Sequence, residues 1–275
     1  MTRHAKAERL HDLHRPGDPL VLANVWDPVG ARLVAEAGAP AVATASASVS
    51  WTLGSPDGDG LDRARAIAQT ALIASAVDLP VTADLESGYA DSPEGVAATI
   101  AELLETGAVG VNLEDGAADH GPGLRPLADA AARIAAARAA ADAAGVRLFL
   151  NARTDVFLRA VGDPADRLAE AVARGRAFAE AGASGVFVPG VTDPATVRAL
   201  AAELPLPLNV LVGPGAPTVA ELAALGVARI SLGPGLAEAA YAAVERAARE
   251  VYAHGTWGGL DGGLDYGRLN GLFSR

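Results

Sequence analysis

Eight short apolar segments recur along this chain, separated by alanine-rich stretches, and that alternation restricts the fold more than any other feature. The segments are Leu20 to Ala23, Ala41 to Thr44, Val81 to Ala83, Gly110 to Leu113, Leu148 to Ala152, Gly185 to Val188, Leu208 to Val212 and Arg229 to Leu232. Between them, stretches such as Ala97 to Leu104, Ala128 to Ala144, Arg167 to Ala181 and Val219 to Leu225 carry apolar residues at helical spacing. Strand and helix alternating about every 30 residues is the pattern of parallel βα units. Eight such units in 275 residues match the size of a (β/α)8 barrel. An open doubly wound sheet would usually carry a glycine-rich phosphate loop after its first strand. Asn24-Val25-Trp26-Asp27-Pro28-Val29-Gly30 is not such a loop. The expected fold class is therefore α/β, a (β/α)8 TIM barrel over residues 1–254, followed by a tail over residues 255–275.

The punctuation agrees with this reading. Gly38, Gly107 and Gly182 stand where helix C-caps belong, and Ser92-Pro93, Asp163-Pro164 and Asp193-Pro194 read as helix starts. The glycine-rich tail carries Trp257, Tyr266 and Phe273. It reads either as a C-terminal helix exchanged with a neighbouring subunit or as one folded back on its own chain.

Two of the apolar segments end abruptly in carboxylates: Val81-Thr82-Ala83-Asp84-Leu85-Glu86 and Val109-Gly110-Val111-Asn112-Leu113-Glu114-Asp115. Clustering carboxylates at buried strand ends is costly, because each raises the pKa of the next. A divalent cation relieves that cost, and oxygen ligands without cysteine point to Mg²⁺ or Mn²⁺. In a barrel the strand C-termini form the active-site face. Asn24, Asp27, Thr44, Ser46, Arg153, Asp155 and Asn209 fall on that same face.

Composition excludes several alternatives. A net charge of −11 argues against nucleic acid or an anionic membrane as partner. Without any cysteine there is no disulfide, zinc–thiolate site or thiol catalysis. Lys6 is the only lysine, so Schiff-base chemistry in the body of the chain is not expected. No apolar run approaches the ~20 residues needed to span a bilayer, and the expectation is a soluble, cytoplasmic enzyme.

The strand-end residues resemble the isocitrate lyase/phosphoenolpyruvate mutase superfamily, including its methylisocitrate lyase-like and phosphonomutase-like members, from about Leu20 to about Leu236. The opening strand is similar at Leu22 to Asp27. Thr44-Ala45-Ser46 with Leu53-Gly54-Ser55-Pro56-Asp57 resembles the substrate-carboxylate loop and its following aspartate. Asp84-Leu85-Glu86-Ser87-Gly88-Tyr89 resembles the metal motif, and Asn112 to Asp115 the second metal strand. The resemblance implies a Mg²⁺-dependent enzyme acting on a small 2-oxo carboxylate or its precursor. Asp84 would bind the metal, with Glu86 and Glu114 on metal-bound water. Thr44, Ala45 and Ser46 would grip the substrate carboxylate. Arg153 would pair with that carboxylate or with the developing enolate, Asn209 would reach the substrate, and Asp57 would sit near the reacting carbon. The family's subunits commonly form tetramers, so a homo-oligomer is expected.

The loop after the fourth strand departs from the pattern. Isocitrate and methylisocitrate lyases carry Lys-x-Cys-Gly-His there, and the mutase and phosphonopyruvate hydrolase branches carry a lysine. This chain has Gly116-Ala117-Ala118-Asp119-His120-Gly121-Pro122-Gly123. His120 is the remaining acid–base candidate, or else a solvated loop residue. The expected reaction is cleavage or formation of a C–C bond through a metal-stabilised enolate. The alternatives are C–P chemistry of the phosphoenolpyruvate mutase or phosphonopyruvate hydrolase type, and a non-catalytic barrel that keeps the metal site.

Overall fold

The computed structural model describes residues 1–116 and 123–274. After helix α1 (Arg3–Asp12) the chain runs β1 (Leu20–Leu22), α2 (Pro28–Glu36), β2 (Val42–Ala43), α3 (Ser46–Thr52), α4 (Arg63–Ala76), β3 (Val81–Asp84), α5 (Pro93–Glu105) and β4 (Gly110–Glu114). It continues through α6 (Leu127–Ala143), β5 (Phe149–Arg153), α7 (Arg167–Glu180), β6 (Gly185–Phe187), α8 (Pro194–Glu203), β7 (Leu208–Leu211), α9 (Val219–Ala224) and β8 (Arg229–Ser231). The long helix α10 (Gly235–His254) and the short α11 (Tyr266–Gly271) follow. All pairings are parallel, in the order β1-β8-β7-β6-β5-β4-β3-β2. A parallel bridge between Val25 and Thr44 joins the two ends of that order, with the Val25 N–H donating to the Ala43 carbonyl at 2.8 Å. The result is the expected eight-stranded barrel, with each strand within a residue or two of its expected segment.

Local chemistry explains the boundaries. Gly38, Gly107 and Gly182 have φ near +90°, which closes α2, α5 and α7 where a Cβ would be strained. Ser92 and Asp193 cap α5 and α8 by accepting the Gly95 and Thr196 N–H groups, with proline next in the chain. Asp163-Pro164 differs from expectation. Asp163 accepts from the Ala165 N–H in a turn of its own, and α7 begins only at Arg167.

Helix α1, which the periodicity did not reveal, plugs the N-terminal end of the barrel. Leu10 is fully buried there, against Gly110 and Thr82; a Cβ on Gly110 would lie 2.6 Å from Leu10 Cδ2. His14 stacks on Phe149 with ring centroids 3.6 Å apart. At the other end of the chain, the segment after α10 folds back on α2 of its own subunit. Leu272 is buried, Arg32 donates to its carbonyl, Arg32 lies over the Phe273 ring, and Arg268 pairs with Glu36. Among the described residues no helix is long and apolar enough to cross a membrane.

His14 gives the barrel floor a pH signature. Its Nδ1 bonds the Leu10 carbonyl at 2.7 Å, while Nε2 is buried without a partner. Burial, and then the cation of Arg229, push its pKa down to about 3. Only the unfolded chain takes up this proton as pH falls below about 6.5, so stability is full above that value and is lost on acidification. Between pH 7 and pH 5 this one group should remove about 2 kcal/mol. His14→Phe, which keeps the stack, should lose that much less in urea unfolding at the two pH values. Equal losses in both proteins would contradict the assignment.

Candidate active site

The C-terminal ends of the strands enclose a cavity of about 200 Å³. Asn24, Ser46, Asp57, Asp84, Asn112 and Arg153 bring polar atoms to it, and Leu158, Phe187, Pro189, Leu211 and Pro234 form the opposite wall. A larger, more open depression of about 540 Å³ adjoins it, lined by Asp59, Ser87, Tyr89 and Arg125. The strand-end side chains converge on the smaller space, which also matches the position of active sites on this architecture.

Register puts the key groups side by side. Asp84 pairs with Asn112, and Glu114 with Arg153. The Asp84 N–H donates to Thr44 Oγ1 at 2.9 Å, and the Ser46 N–H donates to Asp84 Oδ2 at 3.1 Å. The Thr44-Ala45-Ser46 turn therefore holds the Asp84 carboxylate by one oxygen. The other oxygen, Oδ1, is buried and has no hydrogen-bond partner. A buried carboxylate oxygen left unsatisfied is unusual, and this one belongs to a cavity-lining residue. Asn24 braces the same rim. Its Nδ2 donates to the Thr44 carbonyl at 2.7 Å, and its Oδ1 accepts from the Leu232 and Gly233 N–H groups at 3.0 Å each.

Arg153 is clamped between carboxylates. It lies 2.8 Å from Glu114 and 2.6 Å from Asp155, and its guanidinium sits over the Phe187 ring. Arg159 reinforces the pair through Asp155 at 3.1 Å. Burial opposes the Arg153 charge, but Glu114 and Asp155 outweigh it and hold the proton more firmly than usual. Burial raises Glu114 well above the ordinary carboxylate range, with Arg153 pulling the other way. Asp57 stands at the exposed mouth. Partial desolvation and the charge of Asp84 raise its pKa, while Ser46 and Arg153 oppose the shift.

Glu86 is 2% exposed and is pushed up to about 7 by burial, with Asp57, Asp59 and Asp84 adding to the shift. It accepts from the Tyr89 hydroxyl at 3.0 Å and from the Asp59 N–H. Asp59 in turn accepts from the Ser87 hydroxyl at 2.6 Å, so the turn carrying Asp57 is tied to the end of β3. Asp59, Glu86 and Tyr89 all have φ between +50° and +59°, a strained region for residues with side chains. Such strain concentrates at functional sites.

The structure brings Ala45, Ser46, Asp57, Asp84 and Arg153 to one cavity. It sets Thr44, Glu86 and Glu114 behind that lining rather than in it. Among the described residues, no three His, Asp or Glu side chains converge closely enough to hold a metal by themselves. Asn209 does not line the cavity either. It is 1% exposed, accepts from Asn151 at 3.0 Å, and donates to the Arg229 carbonyl and Ser231. His120 lies outside the described residues.

Sequence reasoning missed the polar layer beneath the cavity. Arg229 is fully buried, bonded to Asn112 and Ser231, and burial lowers its pKa to about 10. A lone arginine in an apolar strand gave no signal of its partners on β4 and β8. Also missed was Arg174 on α7, which reaches the buried Asp115 at 3.1 Å. Asp115 Oδ1 accepts the Asp155 N–H, so this pair supports the Arg153 cluster from behind. Arg174→Met keeps much of the aliphatic volume but strands a buried carboxylate. It should destabilise the protein by about 3–5 kcal/mol in urea at pH 7; a loss under about 1 kcal/mol would mean that the pair is dispensable.

Comparison with known proteins agrees with this geometry. The phosphoenolpyruvate phosphomutase family profile matches residues 10–252. A Burkholderia cenocepacia protein solved as a candidate phosphonomutase is 51% identical, with a TM-score of 0.85 over 89% of this chain and 99% of its own. An uncharacterized protein of Mycobacterium tuberculosis is 38% identical over 242 residues, 88% of each chain. Oxaloacetate decarboxylase 2 of Pseudomonas fluorescens is 29% identical over 220 residues, 76% of this chain and 71% of its own. The barrel, its strand-end carboxylates and these matches together establish that the chain belongs to the phosphoenolpyruvate mutase/isocitrate lyase superfamily of enzymes, which holds both lyases and mutases.

Proposed function

We propose that this protein is a Mg²⁺- or Mn²⁺-dependent lyase that cleaves or forms a C–C bond in a small 2-hydroxy or 2-oxo carboxylate by way of an enolate. The observation that carries the reading is Asp84 Oδ1, a buried carboxylate oxygen without a partner on a residue lining the cavity beside Arg153. The donor set fits a hard divalent cation: Asp84 would hold it directly, and Glu86 and Glu114 would hold its waters. When bound, the cation would supply positive charge where the oxo oxygen becomes negative.

The chain's own residues do the rest. The Ser46 hydroxyl and the Thr44-Ala45-Ser46 turn orient the substrate carboxylate, although the Ser46 N–H is already committed to Asp84. Arg153, kept protonated by Glu114 and Asp155, faces that carboxylate or the developing enolate. Asp57 holds or moves a proton at the cavity mouth, and His120 is the second acid–base group. Asn209 supports the floor through Asn151 and Ser231 and would reach the ligand only through that layer. A homo-oligomer is part of the proposal, supported by the exposed Tyr252, Trp257 and Tyr266 around the C-terminal helices.

A second reading is C–P bond chemistry on the same residues, favoured by the 51% identity to the Burkholderia protein. The test common to both is a thermal-shift series with Mg²⁺ and oxalate, which resembles a pyruvate enolate in shape and charge. Stabilisation should require both components and disappear in Asp84→Ala. A shift that persists in EDTA, or in Asp84→Ala, would overturn the metal reading.

A further inference from the structure

The cavity is divided by chemistry. Its floor and one side are polar, while Leu158, Phe187, Pro189, Leu211 and Pro234 bring apolar surface from the ends of β5 to β8. Two glycines hold that wall in place. Gly190 has φ +86°, and a Cβ there would meet the Leu158 backbone at 2.6 Å. Gly233 has φ +55°, and a Cβ there would meet Leu211 Cδ1 at 2.8 Å. The Arg153 guanidinium lies over the Phe187 ring, 5.7 Å from its centroid.

Charge is correspondingly scarce on the ligand's side. Among the described residues Arg153 is the one cation that lines the cavity, and Glu114 and Asp155 already engage it. Asp57 and Asp84 add negative charge. A divalent cation plus Arg153 can therefore balance one carboxylate and the oxygen beside it. A second carboxylate or a phosphonate would be pressed on side chains that offer it no donor, at a cost of several kcal/mol.

We infer that the natural ligand carries a single carboxylate, at its 2-oxo or 2-hydroxy end, and that its far end is a short uncharged apolar group packed on Leu158, Phe187 and Leu211. The inference rests on the metal-and-carboxylate reading above and names the substrate class of that same site. The volume of about 200 Å³ is below the ~300–1,000 Å³ of drug-sized sites, which keeps the apolar group to a small branched or straight alkyl chain.

Isothermal titration of the full chain with saturating Mg²⁺ tests this, with oxalate, 4-methyl-2-oxopentanoate, 2-oxoglutarate and phosphonopyruvate as probes. Oxalate should bind, and 4-methyl-2-oxopentanoate should bind at least tenfold more tightly than 2-oxoglutarate or phosphonopyruvate, whose far ends are anionic. Leu158 is 46% exposed, and Leu158→Arg should shrink that ratio at least tenfold. Oxalate binding with equal or tighter binding of 2-oxoglutarate or phosphonopyruvate would overturn this inference alone, and phosphonopyruvate preference would favour C–P chemistry. An unchanged ratio in Leu158→Arg would overturn the assignment of the wall. Failure of oxalate to bind would overturn the metal-and-carboxylate reading and this inference with it.

Discussion

The site depends on a surplus of buried negative charge around one arginine. Glu114, Asp115, Asp155, Asp84 and Glu86 all approach the barrel mouth, and among the described residues only Arg153, Arg159 and Arg174 counter them directly. Buried carboxylates are tolerated when each has a cation or donors. Glu114 and Asp155 have Arg153, Asp115 has Arg174, and Glu86 has Tyr89 and the Asp59 amide. Asp84 is the exception, with one oxygen satisfied and the other not. That imbalance at a cavity-lining residue is the observation on which the proposed divalent cation rests.

The barrel makes the arrangement possible because parallel strands deliver all their C-termini to one rim. Closure is weakest between β1 and β2, where β2 spans only Val42–Ala43. There Asn24 does the work of a missing ladder, tying the end of β1 to the Thr44 carbonyl and to the loop after β8. Beneath the cavity, Asn112, Asn151, Asn209, Ser231 and Arg229 form a bonded polar layer. Such layers stabilise only when nearly satisfied, which couples the floor of the site to the packing of four strands. At the far end α1 seals the barrel with Leu10 and His14, leaving the mouth as the open end.

Much of this was legible in the chain because barrel strands are short, apolar and evenly spaced, and their polar residues stand at the ends. Asp84, Arg153 and the Thr44-Ala45-Ser46 turn were identifiable for that reason. Interior polar residues were harder to read. Asn209 and Arg229 lie on apolar strands, and their partners are set by register across the barrel rather than by neighbours in sequence. Glu86, the expected partner of metal-bound water, is held behind the cavity lining by its bonds to Tyr89 and the Asp59 amide. Its positive φ is a tertiary constraint with no local signature. Helix α1 escaped notice because its N-terminal turns are polar and only Ala7 and Leu10 are buried.

Asp84, with its unpartnered buried oxygen, is the proposed seat of one divalent cation. The most direct measurement is a Mn²⁺ titration of the intact protein at neutral pH, with free ion counted by electron paramagnetic resonance, in the natural chain and in Asp84→Asn. One tight site per chain, lost or weakened at least tenfold in the variant, is the predicted result. No saturable site, or a site of unchanged affinity in Asp84→Asn, would contradict the central claim.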